Sequence, residues 1–248
     1  MAFIRLDNVS VSFPIYSAVS RSIRARLMAA GSGGRIGTDG ASHVVVRGLK
    51  DVTAEIAHGD RVALIGRNGA GKTTLLRAMA GIYEPVAGTA TIEGRVAPLF
   101  DFGLGMDPES SGYENIVLRG LYLGLSRSQI RARMDEIAEF TELGSFLSLP
   151  LRTYSAGMQT RLSFAVSTCL HPDILLLDEG IGAGDAAFLV KAKQRLEAAV
   201  ERAGILVFAS HAESLMRQLC TKAMLLDQGS VVATGTIDEV LERYKEAA

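Results

Sequence analysis

The segment from residue 66 to residue 73 constrains the chain most, because it reads G-x-x-x-x-G-K-T. An apolar run of strand type, Arg61–Ile65, precedes it, and a helix-forming run that closes at Gly81 follows it. In a strand–loop–helix of this kind, backbone N–H groups and the positive end of the helix converge on an anion. The pattern predicts a phosphate-binding loop for a nucleoside triphosphate, in which Lys72 reaches the β- and γ-phosphates and the Thr73 hydroxyl ligates Mg²⁺. The residues expected to contact the nucleotide at this loop are Gly66, Asn68, Gly69, Ala70, Gly71, Lys72, Thr73 and Thr74.

Composition limits the partners that this chain can have. The 26 Lys+Arg and 27 Asp+Glu residues give a net charge of −1, which does not indicate a nucleic-acid partner. Cys169 and Cys220 lack metal-ligand spacing, so we expect reduced thiols in apolar surroundings. No signal peptide is evident, and no apolar run approaches the roughly 20 residues that span a bilayer. We therefore expect any membrane role to act through a partner or a surface contact.

A basic segment follows the first predicted strand, Phe3–Val9. Val19, Ile23 and Leu27 are spaced by four residues, which predicts a short basic amphipathic helix over about Ser17–Ala29. Two interpretations stay open for it. It is either a solvated surface helix within an insertion, or an element that faces anionic headgroups or a membrane partner.

The middle of the chain changes from strands to helices. Hairpin-like turns are predicted at Gly59-Asp60 and at Glu93-Gly94. A helical insertion is predicted from about residue 105 to residue 158, and in it Ser126 and Gln129 form a capping box. The helix that starts there is expected to carry one apolar stripe, from Ile130 to Phe140. The strands predicted before the insertion are Val44–Val46, Val52–Ile56, Arg61–Ile65, Thr89–Ile92 and Arg95–Leu99.

Two continuous apolar runs, Ile174–Leu177 and Ile205–Ala209, are typical of strands buried on both faces of a parallel sheet. A predicted helix, Phe188–Ala203, joins them as a crossover. The remaining predicted elements are strands at Ala223–Leu226 and Val231–Ala233 and a helix at Ile237–Glu246. The predicted fold is α/β, with a mainly parallel core sheet, an antiparallel β subdomain and an all-helical insertion.

Polar residues follow both buried strands where they end, which is where α/β sheets present their ligands. Asp178 suits a second contact to Mg²⁺, and Glu179 suits polarisation of an attacking water. His211 follows the next strand. A lone histidine is more often structural, but this position favours a hydrogen bond to the γ-phosphate and the water.

A second anion-binding helix end is predicted at Ser155 and Gly157. The alternative is an ordinary serine N-cap. Because the helical insertion separates these residues from Lys72 within one chain, we expect them to complete the phosphate site of a second copy.

The order of these motifs resembles the nucleotide-binding subunit of ABC transporters over nearly the whole chain. The resemblance implies an ABC-type P-loop ATPase that binds ATP and Mg²⁺, with Tyr154–Met158 at the signature motif and His211 as the switch histidine. It also implies that Gly180–Asp185 faces the opposite subunit, with Asp185 as its acidic residue. An aromatic side chain after the first strand would stack on adenine; Phe13 fits the spacing best and Tyr16 is the alternative.

Asp101 stands where most of that family has glutamine, so it can contact metal or water but cannot donate as an amide does. With Gly112–Ile116 and the Tyr-Ser-x-Gly-Met motif, this resembles the subgroup that exports bacterial surface polysaccharides: O antigen, capsule or teichoic acid. The resemblance implies a homodimer on the cytoplasmic face of the inner membrane, a permease of ABC-2 type, and a lipid-linked polysaccharide handled indirectly. Some members add a C-terminal glycan-binding domain; we expect residues 1–248 to form one nucleotide-binding domain without it.

Two other classes of protein fit the sequence less well. A soluble ABC ATPase that acts on nucleic acid or ribosomes is disfavoured by the charge of −1 and the single phosphate loop. A small-molecule P-loop kinase would leave Tyr154–Met158 and His211 without roles. The sequence therefore favours the exporter ATPase.

Overall fold

The computed structural model describes residues 1–14, 36–38, 44–100, 103–169, 172–178 and 186–246. They belong to two compact units, each described by itself. The helical unit comprises Met1–Ala2 and Gly94–Leu206, and the phosphate-loop unit comprises Phe3–Glu93 and Val207–Ala248. The basic helix predicted at Ser17–Ala29 lies outside the described residues.

Strands dominate the first part of the chain, helices the middle, and the two alternate towards the end. In chain order, the elements of the described residues are β1 (Phe3–Pro14), β2 (Ile36–Thr38), β3 (Val44–Ala57), β4 (Arg61–Ile65), α1 (Lys72–Met79), β5 (Ala87–Glu93), β6 (Val96–Leu99), α2 (Gly112–Tyr122), α3 (Arg127–Arg131), α4 (Met134–Thr141), 3₁₀ turns at Gly144–Ser148 and Leu151–Thr153, α5 (Ala156–Thr168), β7 (Ile174–Leu177), α6 (Ala186–Arg202), β8 (Ile205–Ala209), α7 (Glu213–Leu219), β9 (Lys222–Asp227), β10 (Ser230–Thr236) and α8 (Ile237–Glu246).

The phosphate-loop unit contains an antiparallel sheet in the order β2-β3-β1-β5. The two strands predicted at 44–46 and 52–56 are one continuous strand, β3, because it pairs with β1 through irregular register shifts. At these shifts side chains supply the hydrogen bonds: Thr53 Oγ1 accepts from the Asn8 N–H, and Ser10 Oγ accepts from the Asp51 N–H. Such bulges are not evident from the alternation of apolar residues alone.

The same unit holds β4, which pairs in parallel with β9, while β9 pairs antiparallel with β10. The hairpins predicted at Gly59-Asp60 and Glu93-Gly94 are therefore wrong. The first turn joins β3, which pairs with β1, to β4, which pairs with β9. The second joins β5, a partner of β1, to β6, which pairs in parallel with β7. A turn signal cannot reveal that the next strand pairs elsewhere.

The helical unit packs α2 to α5 around one apolar core that includes Ile116, Ile130, Ile137, Leu162 and Val166. The capping box at Ser126 is confirmed, because its hydroxyl accepts from the Gln129 N–H and the Gln129 side chain accepts from the Ser126 N–H. A second capping box at Ser111 and Glu114 starts α2.

The single helix expected after Ser126 is instead two helices, α3 and α4. Arg133 interrupts it with φ −113° and ψ 2°, and its guanidinium donates to the Cys169 carbonyl at the end of α5. This contact between distant segments is not encoded in the apolar periodicity.

Buried polar side chains attach the segment before α2 to the helices. Arg119 is fully buried, and it donates to the Ser167 hydroxyl through Nε and Nη2 (3.1 and 2.9 Å) and to the Leu104 carbonyl through Nη1 (2.6 Å). One turn earlier, the Asn115 amide donates to the carbonyls of Asp107 and Ser110 and accepts from the Asp107 N–H. These bonds fix the backbone of residues 104–111.

Both cysteines are buried and free, as expected. Burial raises the pKa of the Cys169 thiol to about 11 and that of Cys220 to about 12. None of the helices in the described ranges combines the length and hydrophobicity needed to cross a membrane.

Candidate nucleotide-binding site

The loop between β4 and α1 has a backbone shape that requires glycine. Gly66 has φ +150°, and a Cβ there would lie 2.4 Å from the Leu226 carbonyl oxygen. Gly71 has φ +112°, and its Cβ would lie 3.0 Å from the Gly48 carbonyl oxygen. Both glycines let the loop backbone lie where any side chain would collide.

Lys72 points into this loop. Its side chain donates from Nζ to the carbonyls of Gly66 (2.6 Å) and Arg67 (3.2 Å), and the residue is 9% exposed. His211, two residues after the end of β8 at Ala209, has its Nε2 3.4 Å from the same Nζ. The structure thus brings together two residues that the sequence placed 139 positions apart.

The start of α1 is well suited to an anion. Within the part of the chain that the structure describes, no side chain caps this helix, and its first turn carries no acidic residue. Asn68, Gly69 and Thr73 are exposed on the loop and the first turn. The N–H groups of the first turn and the helix dipole favour negative charge here. With the buried ammonium of Lys72, these residues fit the phosphates of a nucleoside triphosphate.

Gly229 contacts the loop backbone and is itself held by Lys50, and the sequence analysis predicted neither residue as part of the site. The Gly229 N–H donates to the Ala70 carbonyl (2.8 Å), and the Gly229 carbonyl accepts from the Lys50 N–H (2.8 Å). A Cβ on Gly229 would lie 2.8 Å from the Gly48 carbonyl oxygen. Gln228 and Gly229 both have positive φ (45° and 85°), which glycine adopts readily. The glycine therefore indicates a turn between the two predicted strands, but it does not indicate the contact of that turn with the loop.

Phe13 lies beside the first turn of α1. A Cβ on Gly48 would meet Phe13 Cε2 at 2.7 Å and Thr74 Cγ2 at 3.0 Å, so both side chains border the space that a side chain on Gly48 would occupy. The other aromatic candidate, Tyr16, lies outside the described residues. The described candidate, Phe13, thus lies near the first turn of α1, and its role as an adenine platform stays a prediction.

Three further predicted site residues are found in the helical unit. Asp178 directly follows β7, as predicted. The Ser155 hydroxyl caps α5 by accepting from the Met158 N–H (3.3 Å), so the predicted alternative of an N-cap is realised. A hydroxyl that accepts still carries its own hydrogen and can donate it. Among the described atoms, a Cβ built on Gly157 would have one neighbour within 4 Å, the Ser155 Oγ at 3.9 Å. This helix end therefore has room for a ligand.

Asp101, Glu179 and Asp185 lie outside the described residues, as does the rest of the predicted loop Gly180–Asp185. Their predicted roles rest on the sequence.

A protein-family model described as ABC transporter matches residues 49–182, more than half of the chain. The chain belongs to the ABC transporter family and carries its ATPase domain, and the predicted fold class is confirmed. Two solved structures share the fold: an ATP-binding subunit of an ABC transporter, and a dimeric ATP-binding cassette in a post-hydrolysis state bound to ADP and Pi. Their TM-scores are 0.68 and 0.67 at 23% and 20% identity, covering 98% and 94% of this chain and 93% and 98% of those chains.

Curated relatives are also similar over most of the chain. The O-antigen export system ATP-binding protein RfbE of Yersinia enterocolitica is 49% identical over 231 residues, which are 93% of this chain and 97% of the relative. An RfbB protein of the same description from Klebsiella pneumoniae is 34% identical, with 98% of both chains covered. The teichoic acids export ATP-binding protein TagH of Bacillus anthracis is 36% identical over 84% of this chain and 37% of its own.

Proposed function

We propose that this chain is the ATP-hydrolysing subunit that powers export of a bacterial surface polysaccharide through a membrane permease. The observation that carries the proposal is the glycine-dependent loop around Lys72, joined to His211, in a chain 49% identical to an O-antigen export ATP-binding protein. The class of glycan is O antigen or a related capsule or teichoic-acid-like polymer.

ATP hydrolysis follows from what these side chains can do. Lys72 exchanges its hydrogen bonds to the loop carbonyls for bonds to the β- and γ-phosphates, where an ammonium stabilises the developing charge. His211, already beside the ammonium, orients the γ-phosphate and the attacking water. Glu179 accepts the proton of that water as the general base. The base of ATP stacks on Phe13.

Thr73, Asp178 and Asp101 are the residues that would hold Mg²⁺, because hydroxyl and carboxylate oxygens are the ligands it prefers. When bound, Mg²⁺ neutralises charge on the β- and γ-phosphates. Exposure of Thr73 on the first turn of α1 is compatible with this role.

Ser155 and Gly157 complete the phosphate site of a second copy, so two chains close around two ATP molecules. The uncrowded Gly157 and the absence of acidic residues in the first turn of α5 support an anion at this end. Asp185 would lie at the same interface between copies. Residues 1–248 then act as one nucleotide-binding domain, with a helical subdomain at about residues 105–158.

A permease-docking surface is proposed on the solvent face of α2. Leu118, Leu121 and Tyr122 are each 38–46% exposed there and lie on one helix face, which gives it three large apolar side chains. The permease would be of ABC-2 type and would hold the subunit at the cytoplasmic face of the inner membrane. The lipid-linked polysaccharide passes through the permease and does not bind this chain.

Affinity purification of the tagged chain from detergent-solubilised native membranes tests this proposal. We expect a stoichiometric multi-helix permease to co-purify with the native chain, and Leu121→Glu to reduce that recovery at least about tenfold by placing a charge in an apolar contact. Val190→Glu, at a 60% exposed position on α6, is the matched control and should retain the permease. Recovery with ribosomes or nucleic acid instead would refute export.

Substitution of Glu179 by glutamine tests the assignment of the general base. We expect Glu179→Gln to bind ATP like the native chain but to lose turnover by roughly 10²-fold or more, because an amide cannot accept the proton. Steady-state phosphate release and ATP binding by calorimetry measure the two effects. The trapped ATP should also favour the dimer in gel filtration. Near-native phosphate release would remove Glu179 from this role.

A further inference from the structure

The phosphate-loop unit contains an aromatic contact that no predicted role explains. Tyr83, beyond the end of α1, meets Phe13 edge to face, with ring centroids 5.0 Å apart and an interplanar angle of 72°. This arrangement is one that aromatic pairs prefer. Both side chains are partly exposed, so the pair lies at the surface and not in the core.

The end of α1 is built so that Tyr83 returns to the helix. Gly81, with φ +71°, reverses the chain, the Ile82 N–H donates to the Arg77 carbonyl (2.9 Å), and the Gly81 N–H donates to the Ala78 carbonyl (3.1 Å). These two bonds form a Schellman motif, which fixes the direction of the following residue.

Arg77 then fixes the Tyr83 ring itself. Its Nη1 donates to the Tyr83 hydroxyl (3.0 Å), and its guanidinium carbon lies 5.6 Å from the ring centroid, within the range of a cation–π contact. Arg77 is three residues after Thr74, and residues three apart lie on neighbouring positions of one helix face. A chain of contacts thus runs from the helix that binds phosphate, through Arg77 and Tyr83, to Phe13.

We propose that Tyr83, held by Arg77, is a positioning residue that fixes the Phe13 ring for stacking on the nucleotide base. Within the described ranges, β1 pairs with β3 at Phe13, whereas its pairing with β5 ends at Ser10, so the neighbouring strand lies on one side of Phe13 only. The Tyr83 edge supplies the missing support and reduces the ordering that base binding requires. This inference rests on the proposed function, since it assumes that the nucleotide lies on this loop with its base at Phe13.

The simpler alternative is that Arg77 and Tyr83 only stabilise the end of α1. The two interpretations differ in what they do to a ligand that lacks the base. A base-positioning residue should affect ADP and leave inorganic pyrophosphate unchanged, whereas a damaged helix end should weaken both ligands because both bind at α1.

Calorimetric titration of the full chain with ADP and with inorganic pyrophosphate distinguishes the two interpretations. We expect Tyr83→Ala to raise the Kd for ADP about three- to tenfold and to leave the Kd for pyrophosphate unchanged. Tyr83→Phe, which keeps the ring but loses the Arg77 hydrogen bond, should give a smaller rise. Tyr244→Ala, at another partly exposed tyrosine, is the control and should change neither value.

The double variant tests whether Tyr83 acts through Phe13. Phe13→Ala should raise the Kd for ADP by roughly tenfold, and adding Tyr83→Ala should raise it no further. Equal weakening of both ligands, additive effects, or an unchanged Kd for ADP in Tyr83→Ala would each overturn the proposal. Because ADP binding needs no hydrolysis, a chain that binds ADP but does not turn over ATP refutes the proposed ATPase role independently.

Discussion

Lys72→Ala should lower the rate of ATP turnover by about 10²- to 10³-fold relative to the native chain. The ammonium is the cationic side chain that lies inside the phosphate loop, where it donates to the carbonyls of Gly66 and Arg67. Its removal leaves backbone N–H groups to bind the phosphates without a compensating charge. Phosphate release at saturating ATP and ATP affinity by calorimetry should both fall.

A positive charge at residue 72 should not by itself restore ATP turnover. Lys72→Arg keeps the positive charge, but the planar guanidinium is larger and is held in a loop where Lys72 is 9% exposed, so we expect turnover to remain low. Lys193→Ala removes a lysine with a side chain that is 73% exposed and serves as the control. Turnover of Lys72→Ala within about threefold of that control would contradict the proposed site.

Arg119→Met should lower the free energy of unfolding by about 3–5 kcal/mol, because two buried polar groups lose their donor. Arg119 is fully buried, and its loss leaves the Leu104 carbonyl and the Ser167 hydroxyl without the donor that they use. For a chain of this size, the midpoint of thermal unfolding should fall by roughly 6–20 °C. Circular dichroism at increasing temperature measures it.

Arg131→Met provides the comparison, because Arg131 is an exposed arginine on the neighbouring helix α3. Its effect should stay within about 0.5 kcal/mol. Adding Ser167→Ala to Arg119→Met removes one orphaned partner and should recover part of the loss. If Arg119→Met and Arg131→Met have the same midpoint of thermal unfolding, the buried hydrogen bonds of Arg119 do not stabilise the helical unit.

The sequence predicted the parts of the fold whose signals are local. The glycine loop between β4 and α1, the Ser126 capping box and the buried strands β7 and β8 were correct because glycine, serine and continuous apolar runs each have a direct conformational meaning. The helix α7 was missed. It is short, and Met216 is its one buried residue, so its periodicity is weak.

Predictions that depended on distant contacts were less successful. The Gly59-Asp60 and Glu93-Gly94 turns connect strands that pair with other partners, and Arg133 breaks a helix whose periodicity looked continuous. For the site, the residue types predicted Lys72 and His211, but not the Tyr83 contact or the support from Gly229. Those contacts arise where segments far apart in sequence meet.

The Gly229 contact also has a practical consequence for anyone who modifies this chain. The turn between β9 and β10 resembles a harmless surface hairpin, and such turns are commonly chosen for epitopes, fluorescent reporters or circular permutation. In this chain the Gly229 N–H holds the Ala70 carbonyl, and the Gly229 Cα lies 3.3 Å from the position of a Cβ on Gly71. A peptide inserted at this turn would displace Gly229 and with it the loop backbone at Ala70. Reporters belong instead on solvent-facing positions of α6, such as Lys193.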